Sequence, residues 1–189
     1  MKEGGLTNLA LQVFYVSREE TTCPLLIEMI KTGKNLKEKE ILSEGNSATI
    51  SMKYGKRILI NSDVEDFSRI QKEELLEVVD YNPLNNNLLL IGPSDPKVET
   101  TLHWMIHHAR DEVNVVVQIN DKKLLKNIKD NVMLSSEKTP IHNIEFIKQA
   151  LKKLRDDKKI FIKDTGVIYV GENSRDVADR IIQDFGDLK

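Results

Sequence analysis

Glu99-Thr100-Thr101-Leu102-His103-Trp104-Met105-Ile106-His107-His108-Ala109-Arg110 is followed at once by Asp111-Glu112-Val113-Asn114-Val115-Val116-Val117-Gln118-Ile119-Asn120-Asp121. The first half, taken with Val98, reads as an amphipathic helix over Val98–Arg110, with Leu102, Trp104, Met105 and Ile106 as its apolar content. In the second half, Val113–Ile119 is almost entirely β-branched, a composition that suits a strand buried on both faces. The polar pair Gln118 and Asn120 closes that strand.

Outward from this unit, Gly92-Pro93-Ser94-Asp95-Pro96 makes a rigid loop into the helix. Leu88–Ile91 before it is an apolar strand. Ala48–Met52 and Arg57–Ile60, joined through Tyr54-Gly55-Lys56, read as a β-hairpin. Lys72–Leu76 reads as a short helical turn, Glu77–Tyr81 as a strand, and Asn82–Asn87 as turn material. Upstream, Thr21 and Thr22 are capping candidates before Pro24, which starts a helix Leu25–Thr32 that Gly33 ends. Lys34–Glu40 is then a solvated, charge-rich connection. For Leu9–Val16 a strand and a helix start are both open. Downstream, Asp121 caps a helix reaching Lys129, and apolar residues at 144, 147, 151 and 154 mark a helical face over Ile144–Arg155. Lys159–Lys163 and Gly166–Gly171 form a strand pair, and Ser174 or Asn173 caps a last helix, Arg175–Phe185. Without repeats, linkers or regular βαβ alternation, the chain reads as one α/β domain with hairpins.

With 189 residues, 40% hydrophobic and 31% charged, the chain is large enough for one real core. A formal charge of −2 gives no field toward nucleic acid or an anionic membrane, and 5% aromatics argue against a base-stacking surface. The single cysteine, Cys23, excludes an internal disulfide and a thiolate metal cluster, so a reducing, cytoplasmic setting is expected. Leu9–Val16 is too short to span a bilayer.

Four segments in order resemble the class II aldolase/adducin family over roughly residues 24–185, leaving 1–23 as an unassigned N-terminal segment beside a domain at 24–189. Gly45-Asn46-Ser47-Ala48-Thr49-Ile50-Ser51 is similar to the family's Gly-Asn-Ile-Ser strand opening. Ile58–Ile60, Glu73-Glu74-Leu75 and Val78-Val79-Asp80 are similar to its strand, Pro-Glu-Asp-Leu turn and Val-Val-Asp strand. Glu99–His103 and Ala109–Asn114 follow Glu-Thr-Pro-Leu-His and Ala-Arg-Pro-Asp-Val. Asp164-Thr165-Gly166-Val167 and Val170-Gly171 follow Asn-His-Gly-Val and Val-Gly. The resemblance implies a three-layer α/β/α sandwich around a mixed, mostly antiparallel sheet, and a homo-oligomer, usually a tetramer.

Enzymes of the family cleave or epimerise sugar phosphates, with zinc on three imidazoles polarising the substrate carbonyl. The resemblance places Glu99 at the family's acid/base carboxylate. It places Gln118, Asn120 and Thr165 at the three zinc histidines, so no metal or other cofactor is expected here. Of the phosphate cradle Gly45 and Asn46 remain. Asp63 stands in the loop Asn61–Val64, where it would repel phosphate, and Lys97-Val98 replaces a Ser-Ser pair. Lys97 can offer charge to an anion or pair with a carboxylate.

Plainer roles compete with these. Glu99 suits the first turn of any helix, and Gly45, Gly166 and Gly171 suit turns. His103 and His107, spaced i, i+4, lack the carboxylate of a zincin motif, with Ile106 between them, and His103 is expected in a satisfied core or interface role. Cys23 is expected to be inert, and His142 has no assigned role. Three functions follow: a non-catalytic binding or interaction module, a metal-independent lyase or isomerase using Glu99 with Gln118, Asn120, Thr165 and Lys97, and a sensor for a small sugar or anion.

Overall fold

The computed structural model describes residues 10–42, 46–121, 133–135, 143–163 and 165–186. Among the described residues nine strands form one mixed sheet, with β1 (Gln12–Ser17), β2 (Ser47–Tyr54), β3 (Arg57–Asn61), β4 (Leu75–Asn82), β5 (Asn87–Ile91), β6 (Val115–Asn120), β7 (Met133–Ser135), β8 (Lys159–Lys163) and β9 (Gly166–Gly171). Their spatial order is β1-β5-β4-β3-β2-β6-β9-β8-β7. The β1/β5 and β7/β8 pairs at the two edges are parallel. The pairs between them are antiparallel, as the hairpin pattern requires.

Among the described residues four α-helices cover the sheet: α1 (Leu26–Glu38), α2 (Thr100–Ala109), α3 (Ile144–Lys153) and α4 (Ser174–Gly186). On one face Met29 and Leu36 of α1 and Val177 and Ile181 of α4 pack with Ile50, Met52, Val117, Ile119 and Tyr169. On the other, Leu102 and Ile106 of α2, Phe146 and Ile147 of α3 and Leu154 just after it meet Val116, Ile160, Ile168 and Val170. Alternate residues of β6 thus enter opposite layers, which is why its β-branched run is buried on both faces. The result is the three-layer α/β/α sandwich that the resemblance implies.

In the N-terminal third one open alternative is settled and one expectation is corrected. The Leu9–Val16 alternative resolves to strand, as Gln12–Ser17, at the sheet edge beside β5. The first helix does not end at Gly33 but continues to Glu38, so most of Lys34–Glu40 is helical. Gly33 is interior, with Ile70 and Phe67 against the place a Cβ would take, so it serves close packing inside the helix. Its start also differs: Leu25 stands at the N-cap without a side-chain cap, while the Thr21 hydroxyl donates to Glu77 Oε2 (2.8 Å). Termination is by Ile41 N–H to Leu36 C=O and Glu40 N–H to Lys37 C=O, with Glu40 at φ 59°. This is the paired 6→1 and 5→2 bonding that closes helices through one left-handed residue, here a non-glycine. Glu40→Gly is therefore expected to raise stability by about 0.5–1 kcal/mol in urea unfolding.

The last helix is capped by Asn173, whose Oδ1 accepts from Asp176 N (2.9 Å). The helix expected after Asp121, and His142, lie outside the described residues. Among the described residues no helix is long and apolar enough to cross a membrane.

Candidate functional site

The candidate site forms where the N-terminus of α2 meets the ends of β2 and β6. β6 pairs with β2 so that Gln118 lies beside Thr49 and Asn120 beside Ser47. Period-2 alternation turns Thr49, Ser51, Gln118 and Asn120 to the α2 face, since Ile50, Val117 and Ile119 belong to the opposite core. A polar strip therefore runs under α2, where the flanking sheet is apolar.

Entry to α2 is fixed from the sheet edge. The Tyr15 hydroxyl lies 2.8 Å from Asp95 Oδ1 and 3.1 Å from Ser94 C=O, and Arg18 stacks on the Tyr15 ring at 3.3 Å while donating to Pro93 C=O. Burial and the Asp95 bond push the Tyr15 phenol up to about 12. Gly92, at φ 137°, opens this loop with Leu75 O and Leu76 where a Cβ would stand, a conformation and spacing that disfavour a side chain. Clamp and glycine together deliver Lys97 and Glu99 to the site.

Glu99 is 6% exposed, and its side chain makes no cap hydrogen bond to its own helix. It points to β6 instead, where Asn120 Nδ2 donates to Glu99 Oε1 (3.1 Å) and lies 3.2 Å from Ser47 Oγ. Gln118 Nε2 donates in turn to Asn120 Oδ1 (2.9 Å). Three residues placed in the site by sequence, Glu99, Gln118 and Asn120, thus form one connected chain.

Lys97 reaches the same place by a different contact. Its ammonium, on a side chain 8% exposed, donates to Ala48 C=O (3.1 Å) and stands 3.8 Å from Asp63 Oδ1. Among the described residues no ion pair joins a cation to Glu99.

Asn46 Nδ2 donates to Asp121 Oδ2 (2.9 Å), closing the strand end next to Asn120. Thr165 sits one residue before Gly166, where a Cβ would run into Ile119 O and Asn120 Cα, so the β8–β9 turn abuts the site. Its hydroxyl donates to Lys163 C=O at a long 3.4 Å. Gly45 and Asp164 lie outside the described residues.

Sequence reasoning gave His103 a core or interface role but missed its partnership with His107. Both imidazoles are fully buried and meet one hydroxyl: Ser51 Oγ is 2.8 Å from His103 Nδ1 and 2.8 Å from His107 Nε2. His107 Nδ1 lies 3.1 Å from Val113 C=O. Burial first, then the neighbouring imidazole, lowers His103 to about 3. Burial likewise lowers His107 to about 4. Both rings are neutral at pH 7. The i, i+4 spacing was visible; the serine between the rings, 52 residues before His103, was not.

The residues present do not fit zinc. Gln118 and Asn120 offer neutral amide oxygens and Thr165 a neutral hydroxyl, where zinc at a catalytic site takes imidazole, thiolate or carboxylate. Both amides are also engaged with one another and with Glu99. Among the described residues no group of three or more His, Cys, Asp or Glu could hold a metal ion.

With fold and site in view, comparison with known proteins identifies the class. The chain belongs to the class II aldolase and adducin N-terminal domain family, which matches residues 27–183. Among solved structures it is similar to an L-fuculose 1-phosphate aldolase, at 16% identity and TM-score 0.69 over 89% of this chain and 84% of that one. A sugar-phosphate aldolase from Thermotoga maritima matches at 17% identity and TM-score 0.63, over 85% and 91%. The N-terminal class II aldolase domain of a conserved protein from Thermoplasma acidophilum matches at 13% and 0.62, over 91% and 96%. Identities this low show the fold alone. No curated protein matches the chain.

Proposed function

We propose that this class II aldolase-like domain has exchanged zinc chemistry for non-catalytic binding, acting as an interaction module with a small sugar in its cleft and assembled as a homo-oligomer. The observation that carries the reading is the hydrogen-bonded chain Gln118–Asn120–Glu99. The positions that hold zinc in the family's enzymes are tied here to each other and to the acid/base carboxylate. Sugar is favoured over anion because Lys97, the charge offered to an anion, is engaged by Ala48 C=O and Asp63.

A second reading, a metal-independent lyase or isomerase with Glu99 as base, draws on the buried carboxylate in the same cleft. Neutral donors stabilise an enediolate by less than a metal ion does, so the module reading is preferred. Elemental analysis of protein expressed with zinc separates them from family chemistry. The wild type is expected to carry no stoichiometric zinc and to release no aldehyde from L-fuculose 1-phosphate. The triple variant Gln118→His, Asn120→His, Thr165→His is expected to gain one zinc. Stoichiometric zinc in the wild type would overturn the proposal, and turnover that survives chelation but not Glu99→Gln would establish the second reading.

A further inference from the structure

β1 ends the sheet on one side, bonded to β5 alone among the described strands. Its bonding sense is fixed at both ends. Gln12 N–H donates to Asn86 C=O, so the backbone of Gln12 faces β5 and, two residues on, so does that of Phe14. The N–H and C=O groups of Val13 and Tyr15 therefore point off the sheet edge, where no described strand meets them. A register shift between Tyr15 and Ser17 ends this alternation, and Ser17 C=O turns back to accept from Gly92 N–H.

Natural edge strands are guarded against further pairing by charge or proline. Gln12-Val13-Phe14-Tyr15-Val16-Ser17 holds neither. Val13 and Tyr15 pack on the core around Trp104, and Tyr15 is pinned by Asp95, so the strand is held firmly in place. Phe14 and Val16, by contrast, are 50% and 59% exposed. A fixed, uncharged edge with exposed apolar residues is a template for one more strand.

We propose that this strand is β1 of a second copy of the chain, paired antiparallel across a two-fold axis at Phe14. In this register Val13 of each copy exchanges both backbone bonds with the partner's Tyr15. Shifting two residues one way requires Ser17, whose carbonyl is engaged by Gly92; shifting two the other way requires Leu11, which precedes the strand. A one-residue slip would set opposite faces against each other. Phe14 then stands at a non-hydrogen-bonded position opposite the partner's Phe14, where side chains approach most closely, and Val16 opposite the partner's Gln12. No like charges meet, because Arg18, the first charge after the strand, falls opposite Ala10. The strand's 6 residues span only about 20 Å, so the contact is smaller than a standard interface of about 1,600 Å² and the dimer forms at micromolar concentration. The inference rests on the homo-oligomer of the reading above and names its surface.

The test is oxidative cross-linking in a Cys23→Ala background. Phe14→Cys is expected to link most of the protein as a disulfide dimer at about 100 μM, since Cα atoms of such a pair lie within disulfide reach. Val16→Cys is not, being more than about 10 Å from its own copy along the paired strands. Sedimentation velocity from about 1 to about 300 μM is expected to show association of the wild type. Phe14→Lys, which sets two ammonium groups on the axis, is expected to weaken it about ten-fold or more. Amide exchange at Val13 and Tyr15, and not at Phe14, is expected to slow as wild-type concentration rises. Equal cross-linking of the two cysteines, cross-linking of neither, or exchange at Val13 and Tyr15 that ignores concentration would each overturn the inference. An oligomer that Phe14→Lys leaves whole would overturn it and spare the homo-oligomer reading; a monomer throughout the range would overturn both.

Discussion

Stability is expected to fall steeply as pH drops from about 6.5 to about 4, before most carboxylates titrate. The cause is the pair of imidazoles under α2. His103 and His107 are lowered from 6.5 to about 3 and about 4, chiefly by burial. In the unfolded chain both take up a proton near the ordinary histidine value, whereas in the folded chain neither does until well below it. Their contribution is therefore intact above pH 6.5 and is lost as pH falls toward the folded values. With both histidines protonated only when unfolded, the limiting slope is about 2.7 kcal/mol per pH unit. Urea unfolding between pH 7 and pH 4 measures it. Glutamine at both positions keeps a polar side chain that can meet Ser51 but cannot titrate, so His103→Gln with His107→Gln is expected to flatten the curve in this window. An unaltered slope in that double variant would place the acid sensitivity elsewhere in the chain.

The same pair shows where sequence reading reaches its range. Elements whose identity rests on local chemistry were legible: the β-branched run of β6, the β2–β3 hairpin, and the apolar face of α3. The end of α1 was not. Gly33 is the usual stop residue, yet its small size is used against Ile70 and Phe67, and the left-handed stop falls on Glu40. Tertiary packing decided between two local signals. At the site, Glu99, Gln118 and Asn120 could be singled out because a period-2 strand brings alternate residues to one face and leads them to the start of α2. That His103 and His107 meet through Ser51, and His107 the Val113 carbonyl, could not be read, because these partners lie far off in sequence or in the backbone. The Tyr15–Asp95 clamp, spanning 80 residues, is invisible to periodicity for the same reason.

Gly166→Ala is expected to cost about 3 kcal/mol or more, because the obstruction is backbone. A Cβ at this position would stand 1.9 Å from Ile119 O and 2.8 Å from Asn120 Cα and Ile119 C. No rotamer change relieves a clash with a carbonyl inside a paired strand, so β9 must move off β6 or β6 must bend. Either movement disturbs the register that sets Gln118 against Ile168 and, through it, the line Gln118–Asn120–Glu99. Gly171→Ala supplies the control at the other end of β9. Its Cβ would meet Val177 Cγ2 at 2.7 Å, the end of a side chain that can shift, with the nearest backbone atom 3.8 Å away. Urea unfolding of the two variants should therefore separate them clearly, with Gly171→Ala the milder. A Gly166→Ala protein within about 1 kcal/mol of wild type would mean that the β8–β9 turn yields freely. The packing of this turn would then not be what fixes the line Gln118–Asn120–Glu99.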